Sequence, residues 1–86
     1  MNIIEKLKRE KEIINNMEHV ELIREYSLVN NYGYIVKIYD KEVDIRHWLN
    51  VYGQDTNFWD SNLKTTDVKV QKVINEITRK LNEECR

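Results

Sequence analysis

Apolar and polar positions follow two different periods along this chain. Ile3, Ile4, Leu7, Ile14 and Met17 fall on one helical stripe, with Glu5, Lys8, Arg9 and Glu12 over the remaining surface, which predicts a helix over residues 3 to 17. Glu10 and Lys11 interrupt that stripe, so either mid-helix packing is shallow or both side chains lie along the rim with their stems on apolar surface. The Asn15–Asn16 pair suits the helix end, because Asn tolerates the left-handed conformation found just past helix termini.

From Val20 the period shortens. Val20, Leu22, Tyr26 and Leu28 alternate with Glu21, Ile23, Glu25 and Ser27, and Ile35, Val36, Ile38 and Tyr39 follow the stretch Asn-Asn-Tyr-Gly. This reads as a β-hairpin. A three-residue loop over residues 31 to 33, with Gly33 left-handed, sets Leu28 opposite Val36, Tyr26 opposite Ile38 and Arg24 opposite Asp40. A helix through Leu22, Ile23, Tyr26 and Val29 is the competing reading of the same run.

Val43 and Ile45 can supply a third short strand, but Ile45, Trp48, Leu49 and Tyr52 carry helical spacing. With Asp44 as N-cap and Gly53 as the left-handed stop, a helix over residues 45 to 52 is the preferred expectation. Asp55 or Thr56 can cap a further short turn carrying Phe58, Trp59 and Leu63. Val70, Val73, Ile74, Ile77 and Leu81 then form the clearest stripe of the chain, opened by Thr66 or Asp67, and predict a helix over residues 67 to 84. The whole reads as one small α+β domain over residues 1 to 86: an antiparallel β-hairpin or three-stranded sheet packed by N- and C-terminal helices, with short helical turns between.

Composition narrows the class without naming an activity. The chain is 41% apolar and 34% charged, as in a soluble globular domain, and its net charge of −1 provides no single-signed field to draw it onto duplex nucleic acid or an anionic membrane. The N-terminal stretch mixes charges through its apolar positions, unlike a signal peptide or membrane span, and the lone cysteine, Cys85, has no intrachain disulfide partner. A reducing, cytoplasmic setting is the expectation, with no membrane association. Alanine and proline are absent while Asn, Ile and Lys are abundant, which implies an AT-rich genome.

The search for chemistry points away from catalysis. Gly33 and Gly53 are the only glycines, so no glycine-rich phosphate loop exists, and Cys85, His19 and His47 do not make a structural zinc set. Asp44-x-x-His47 reads as an N-cap followed by a first-turn histidine rather than as a metal or acid–base pair. No cofactor is expected.

Two binding functions remain, from different classes. The favoured one is a non-enzymatic protein-binding module using Phe58, Trp59, Tyr52 and Arg46, because aromatic and Arg side chains are the usual anchors of interfaces. Phe58 and Trp59 are adjacent, so one core-facing stripe cannot take both and one of them is expected at the surface. Small size and an AT-rich origin suit a phage or mobile-element inhibitor that occludes a host protein. The alternative is a small nucleic-acid-binding regulator that stacks bases on Tyr32, Tyr34 and Tyr39 beside Lys37 and Lys41. Steep loss of binding between low and moderate salt distinguishes the second from the first. A homodimer through the C-terminal helix stripe is compatible with either.

Overall fold

A computed structural model describes residues 3–29, 31–48, 59–61 and 65–84. Helix α1 covers Ile3–Asn15, close to the predicted span, and buries Ile14 while Leu7, Ile13 and Met17 pack at the edge of the core. Its last turn closes through Asn16 N–H to the Glu12 carbonyl at 3.1 Å and Met17 N–H to the Ile14 carbonyl at 3.2 Å. Among the described residues four strands follow: β1 (Val20–Ser27), β2 (Asn31–Ile38), β3 (Lys41–Trp48) and β4 (Trp59–Ser61). Helix α2, Val68–Glu84, is the last described element, and among the described residues no helix is long and apolar enough to cross a membrane.

Sheet order equals chain order, β1-β2-β3-β4, and every neighbouring pair is antiparallel. The α+β architecture therefore stands, with one strand more than the three allowed for. The helical alternative for residues 22 to 29 is replaced by β1 and the turn after it. The preferred helix over residues 45 to 52 is corrected too: Ile45, Arg46, His47 and Trp48 belong to β3, and residues 49 to 52 and Gly53 lie outside the described residues. Pairing with β2 decides this, since Ile45 and His47 meet Tyr34 and Tyr32 and a helix would lose both partners. Trp59 likewise starts β4 opposite His47 and not a helical turn, while Phe58 and Leu63 lie outside the described residues.

The hairpin register differs from the expected one. Tyr26 faces Gly33, Arg24 faces Ile35, and Leu22 faces Val36, with a bulge between Leu22 and Arg24 that leaves Ile23 unmatched. The turn lies earlier than expected: Leu28 N–H donates to the Asn31 carbonyl at 2.7 Å, and Arg24 has no register with Asp40. Gly33 is thus a strand residue. A Cβ there would run into the Ile45 carbonyl oxygen and come within 3.1 Å of the Tyr26 hydroxyl, so the close backbone approach, not a left-handed turn, requires glycine. Among the described non-glycine residues, the left-handed ones are Tyr39, φ 54°, in the two-residue β2–β3 turn, and His19, φ 66°, after α1. They are tied together by Tyr39 N–H to the His19 carbonyl at 2.9 Å and by ring stacking at 4.4 Å.

Both helices cover the same face of the sheet. Tyr32, Tyr34, Val36 and Ile38 of β2 and Val43 and Ile45 of β3 meet Ile14 from α1 and Val70, Ile74, Ile77 and Leu81 from α2. Each such apolar side chain contributes about 1.5–3 kcal/mol on full burial, so of the two helices α2 contributes the larger share of the core. Asp67 caps α2 as expected, its Oδ1 accepting from Lys69 N–H at 3.2 Å and Val70 N–H at 3.5 Å.

Candidate functional site

The alternation of β-strands sorts the polar and aromatic residues onto two faces. On the helix-covered face, Glu10 interrupts the α1 stripe by entering the core and not by lying on the rim. It is 0% exposed, and its carboxylate accepts from the Tyr34 hydroxyl at 2.9 Å and the Tyr32 hydroxyl at 2.9 and 3.2 Å. Burial pushes the Glu10 carboxyl above the usual carboxylate range, while the hydroxyls of Tyr34 and Tyr32 and the charge of Lys6 pull it back. Burial, reinforced by the Glu10 charge and hydrogen bond, pushes the Tyr34 phenol far above its ordinary value. The expectation of shallow packing at Glu10 is corrected accordingly, because two phenols satisfy the carboxyl that apolar surface could not.

Trp59 belongs to this cluster. It is 5% exposed, stacks on Tyr34 at 5.9 Å, and meets Tyr32 edge-on at 5.5 Å and His47 at 5.0 Å. Its backbone N–H donates to Asn82 Oδ1 of α2 at 2.9 Å. Trp59 is therefore a core ring and not a displayed anchor; Tyr52 and Phe58, proposed beside it, lie outside the described residues. Tyr32 and Tyr34 are corrected in the same way: buried and spent on Glu10, they offer no ring face to a base.

The opposite face, which neither α1 nor α2 covers, carries mostly polar, half-buried or exposed residues around a buried Ile35. Arg24 and Tyr26 of β1, Gly33, Ile35 and Lys37 of β2, Glu42, Asp44 and Arg46 of β3, and Asp60 of β4 alternate with the core positions. Across its middle, the ring of Tyr26 reaches past Gly33 and its hydroxyl donates to Asp44 Oδ1 at 2.7 Å. Asp44 Oδ2 in turn pairs with Arg46 at 3.3 Å, and Asp60 stands in register with Arg46. Desolvation, the hydrogen bond to Asp44 and that carboxylate's charge push the Tyr26 phenol up to about 12. Tyr26, Asp44, Arg46 and Asp60 are half-buried, so their rotamers are set while their edges stay in water.

Asp44 and His47 do not form a pair. Three residues apart on a strand, they point to opposite faces: Asp44 to Tyr26, and His47, buried, to Tyr32 at 5.2 Å between rings. Among the described residues, no three His, Cys, Asp or Glu side chains are grouped to hold a metal ion, and Cys85 lies outside them. The remaining residues considered for nucleic acid are dispersed. Lys37 is on the helix-free face, whereas Lys41 opens β3 and Tyr39 sits at the turn between His19 and Lys69, whose Nζ lies 4.8 Å from the Tyr39 ring centre.

Sequence reasoning reached Arg46 but missed Tyr26, Asp44 and Asp60 as its neighbours. The available signal was the strand period Val43-Asp44-Ile45-Arg46-His47, which puts Asp44 and Arg46 on one face and the apolar residues on the other. Comparison of the chain with protein-family models, curated proteins and solved structures finds no match.

Proposed function

We propose that this chain is a non-enzymatic protein-binding module that acts by occupying a surface of its partner with the helix-free face of its sheet. The observation that supports this reading is the row Tyr26–Asp44–Arg46 with Asp60 beside it, spanning the strands. Tyr and Arg dominate binding energy at interfaces, and here both are held in place before any partner arrives, which lowers the entropy lost on association. The same proposal includes an inhibitory role supplied by a phage or mobile element, which rests on the AT-rich composition and small size.

The test is capture of partners by the tagged chain from cells of its source, with Arg46→Ala and Tyr26→Phe compared with Arg79→Ala on the outer surface of α2. Loss of an interface anchor costs about 2 kcal/mol or more, so Arg46→Ala should weaken a captured complex about thirtyfold with its circular dichroism unchanged. A complex equally insensitive to all three substitutions would falsify the assignment of this face.

A further inference from the structure

The edge of the sheet at β1 has a chemistry of its own. In an antiparallel ladder, successive residues direct their N–H and C=O groups alternately toward and away from the neighbour. The hydrogen bond from Leu28 to Asn31 fixes that alternation: Tyr26 and Arg24 address β2, whereas Glu25 and Ser27 turn their backbone groups outward from the edge. The bulge confines this regular outward stretch to the half of β1 after Ile23. Beside it, between α1 and β1, runs a groove of ≈ 410 Å³ with Ile4 and Leu7 along it and Lys8, Lys11 and Glu25 at its margin. Ile4 is 75% exposed, Leu28 61% and Val29 100%, an unusual concentration of apolar surface around one edge. Lys8 and Arg24 form no ion pair among the described residues.

We infer that β1 accepts an extended segment of a partner protein as a fifth strand, with apolar side chains entering the α1–β1 groove and acidic ones on the alternate face beside Arg24. Outward backbone groups are satisfied in regular fashion only by another extended chain, which fixes the conformation of the occupant. The alternation of that strand then fixes its pattern. Residues on its core side meet Leu7 and Ile4, and those on its other side stand next to Arg24 and Tyr26. The second set continues the helix-free face, so this inference rests on the protein-binding reading and names the part of the partner that reaches the edge.

The probe is an end-blocked octapeptide of alternating valine and glutamate, titrated into the ¹⁵N-labelled chain. Binding with a Kd on the order of a millimolar or tighter is expected, with amide shifts at Arg24 to Ser27 and at Leu7 and slowed exchange at Glu25 and Ser27. Glu25→Pro removes one outward N–H and leaves the β2 ladder intact, so it should weaken the peptide about tenfold relative to Glu25→Ala, which loses the same side chain. Ser27→Pro against Ser27→Ala repeats the comparison should the first proline variant not fold. The inference is overturned by equal binding to each Pro and Ala pair or by absence of shifts at β1. It is equally overturned if the β1 shifts appear on raising protein concentration without peptide, since the occupant is then a second copy. Loss of captured partner in Arg46→Ala together with a silent β1 edge would remove this inference and leave the helix-free face standing.

Discussion

Replacing Glu10 separates what its carboxyl accepts from what its charge costs. Glu10→Ala removes the one acceptor shared by the Tyr32 and Tyr34 hydroxyls and leaves two phenols inside the core without it. A buried donor left unsatisfied costs about 1–3 kcal/mol, so the Tyr34 hydroxyl alone sets a cost of that size and the weakened Tyr32 adds to it. A fold of 86 residues has about 4–13 kcal/mol in all, so this variant should lose a substantial fraction of its stability. Glu10→Gln keeps the shape and an amide oxygen, and should cost within about 1 kcal/mol at pH 4, where the wild-type side chain is itself neutral. The two then diverge with pH. The folded carboxyl titrates above its ordinary value of 4.5, so its contribution is fully present below that value and is lost as pH rises through the folded value. Within that window wild type should lose stability relative to Glu10→Gln by up to about 1.4 kcal/mol per pH unit. Urea unfolding followed by circular dichroism, from pH 4 to 8, measures both quantities. A flat wild-type minus Gln difference across that range, or a cost below about 1 kcal/mol for Glu10→Ala, would refute the account of Glu10 as a buried, proton-holding acceptor.

Other substitutions report on separate parts of the structure. Gly33→Ala should destabilise by about 2–4 kcal/mol, because the new Cβ meets the Ile45 carbonyl, which is backbone and cannot swing aside; a thermal shift smaller than that of an exposed-site control would contradict it. Asp67→Ala should cost about 0.5–2 kcal/mol and raise hydrogen exchange at Lys69 and Val70, whereas unchanged exchange there would show that the cap contributes nothing. In alkaline spectrophotometric titration, Tyr26 should ionise near pH 12, above ordinary tyrosines, and Tyr26→Phe should delete that late transition without altering the early one. Trp59→Ala should cost about 3–5 kcal/mol, reported as a lowered urea midpoint, because the ring fills the space between Tyr34, Tyr32 and His47.

Much of the architecture is legible in local sequence. The α2 stripe and its Asp67 cap are local signals, complete within a few turns, and they locate that helix to within a residue or two. Registers are different. Whether Tyr26 faces Ile38 or Gly33 depends on where the turn falls, and the sequence Leu28-Val29-Asn30-Asn31-Tyr32-Gly33 accommodates either placement until the Cβ-free approach to β3 selects one. The Ile45-to-Tyr52 spacing suggested a helix because it ignored partners more than ten residues upstream, and those partners are what hold β3. Glu10 shows the same limitation. It occupies the stripe position between Leu7 and Ile14, yet nothing local reveals that two tyrosines on β2 will supply its hydrogen bonds. The Tyr26–Asp44–Arg46 row was hidden for the same reason, since it draws on two strands that are not adjacent in the sheet.

The equality of sheet order and chain order sets the order in which entropy is lost on folding. Each antiparallel pair between β1 and β3 closes a loop of only a few residues, so the meander can zip one hairpin at a time at low contact order. The contact between α1 and α2, by contrast, joins the first and last described elements and closes the longest loop among them. A hairpin-first route follows as a hypothesis: substitutions at the β2–β3 turn should slow folding, with φ values toward 1, while Ile14→Val in α1 should mainly speed unfolding. Stopped-flow chevrons with the opposite partition would place the helices first. On the hairpin-first route the tyrosine face of the sheet stands open to solvent for as long as the helices take to arrive, and that interval is when this chain is most exposed to association with its own kind.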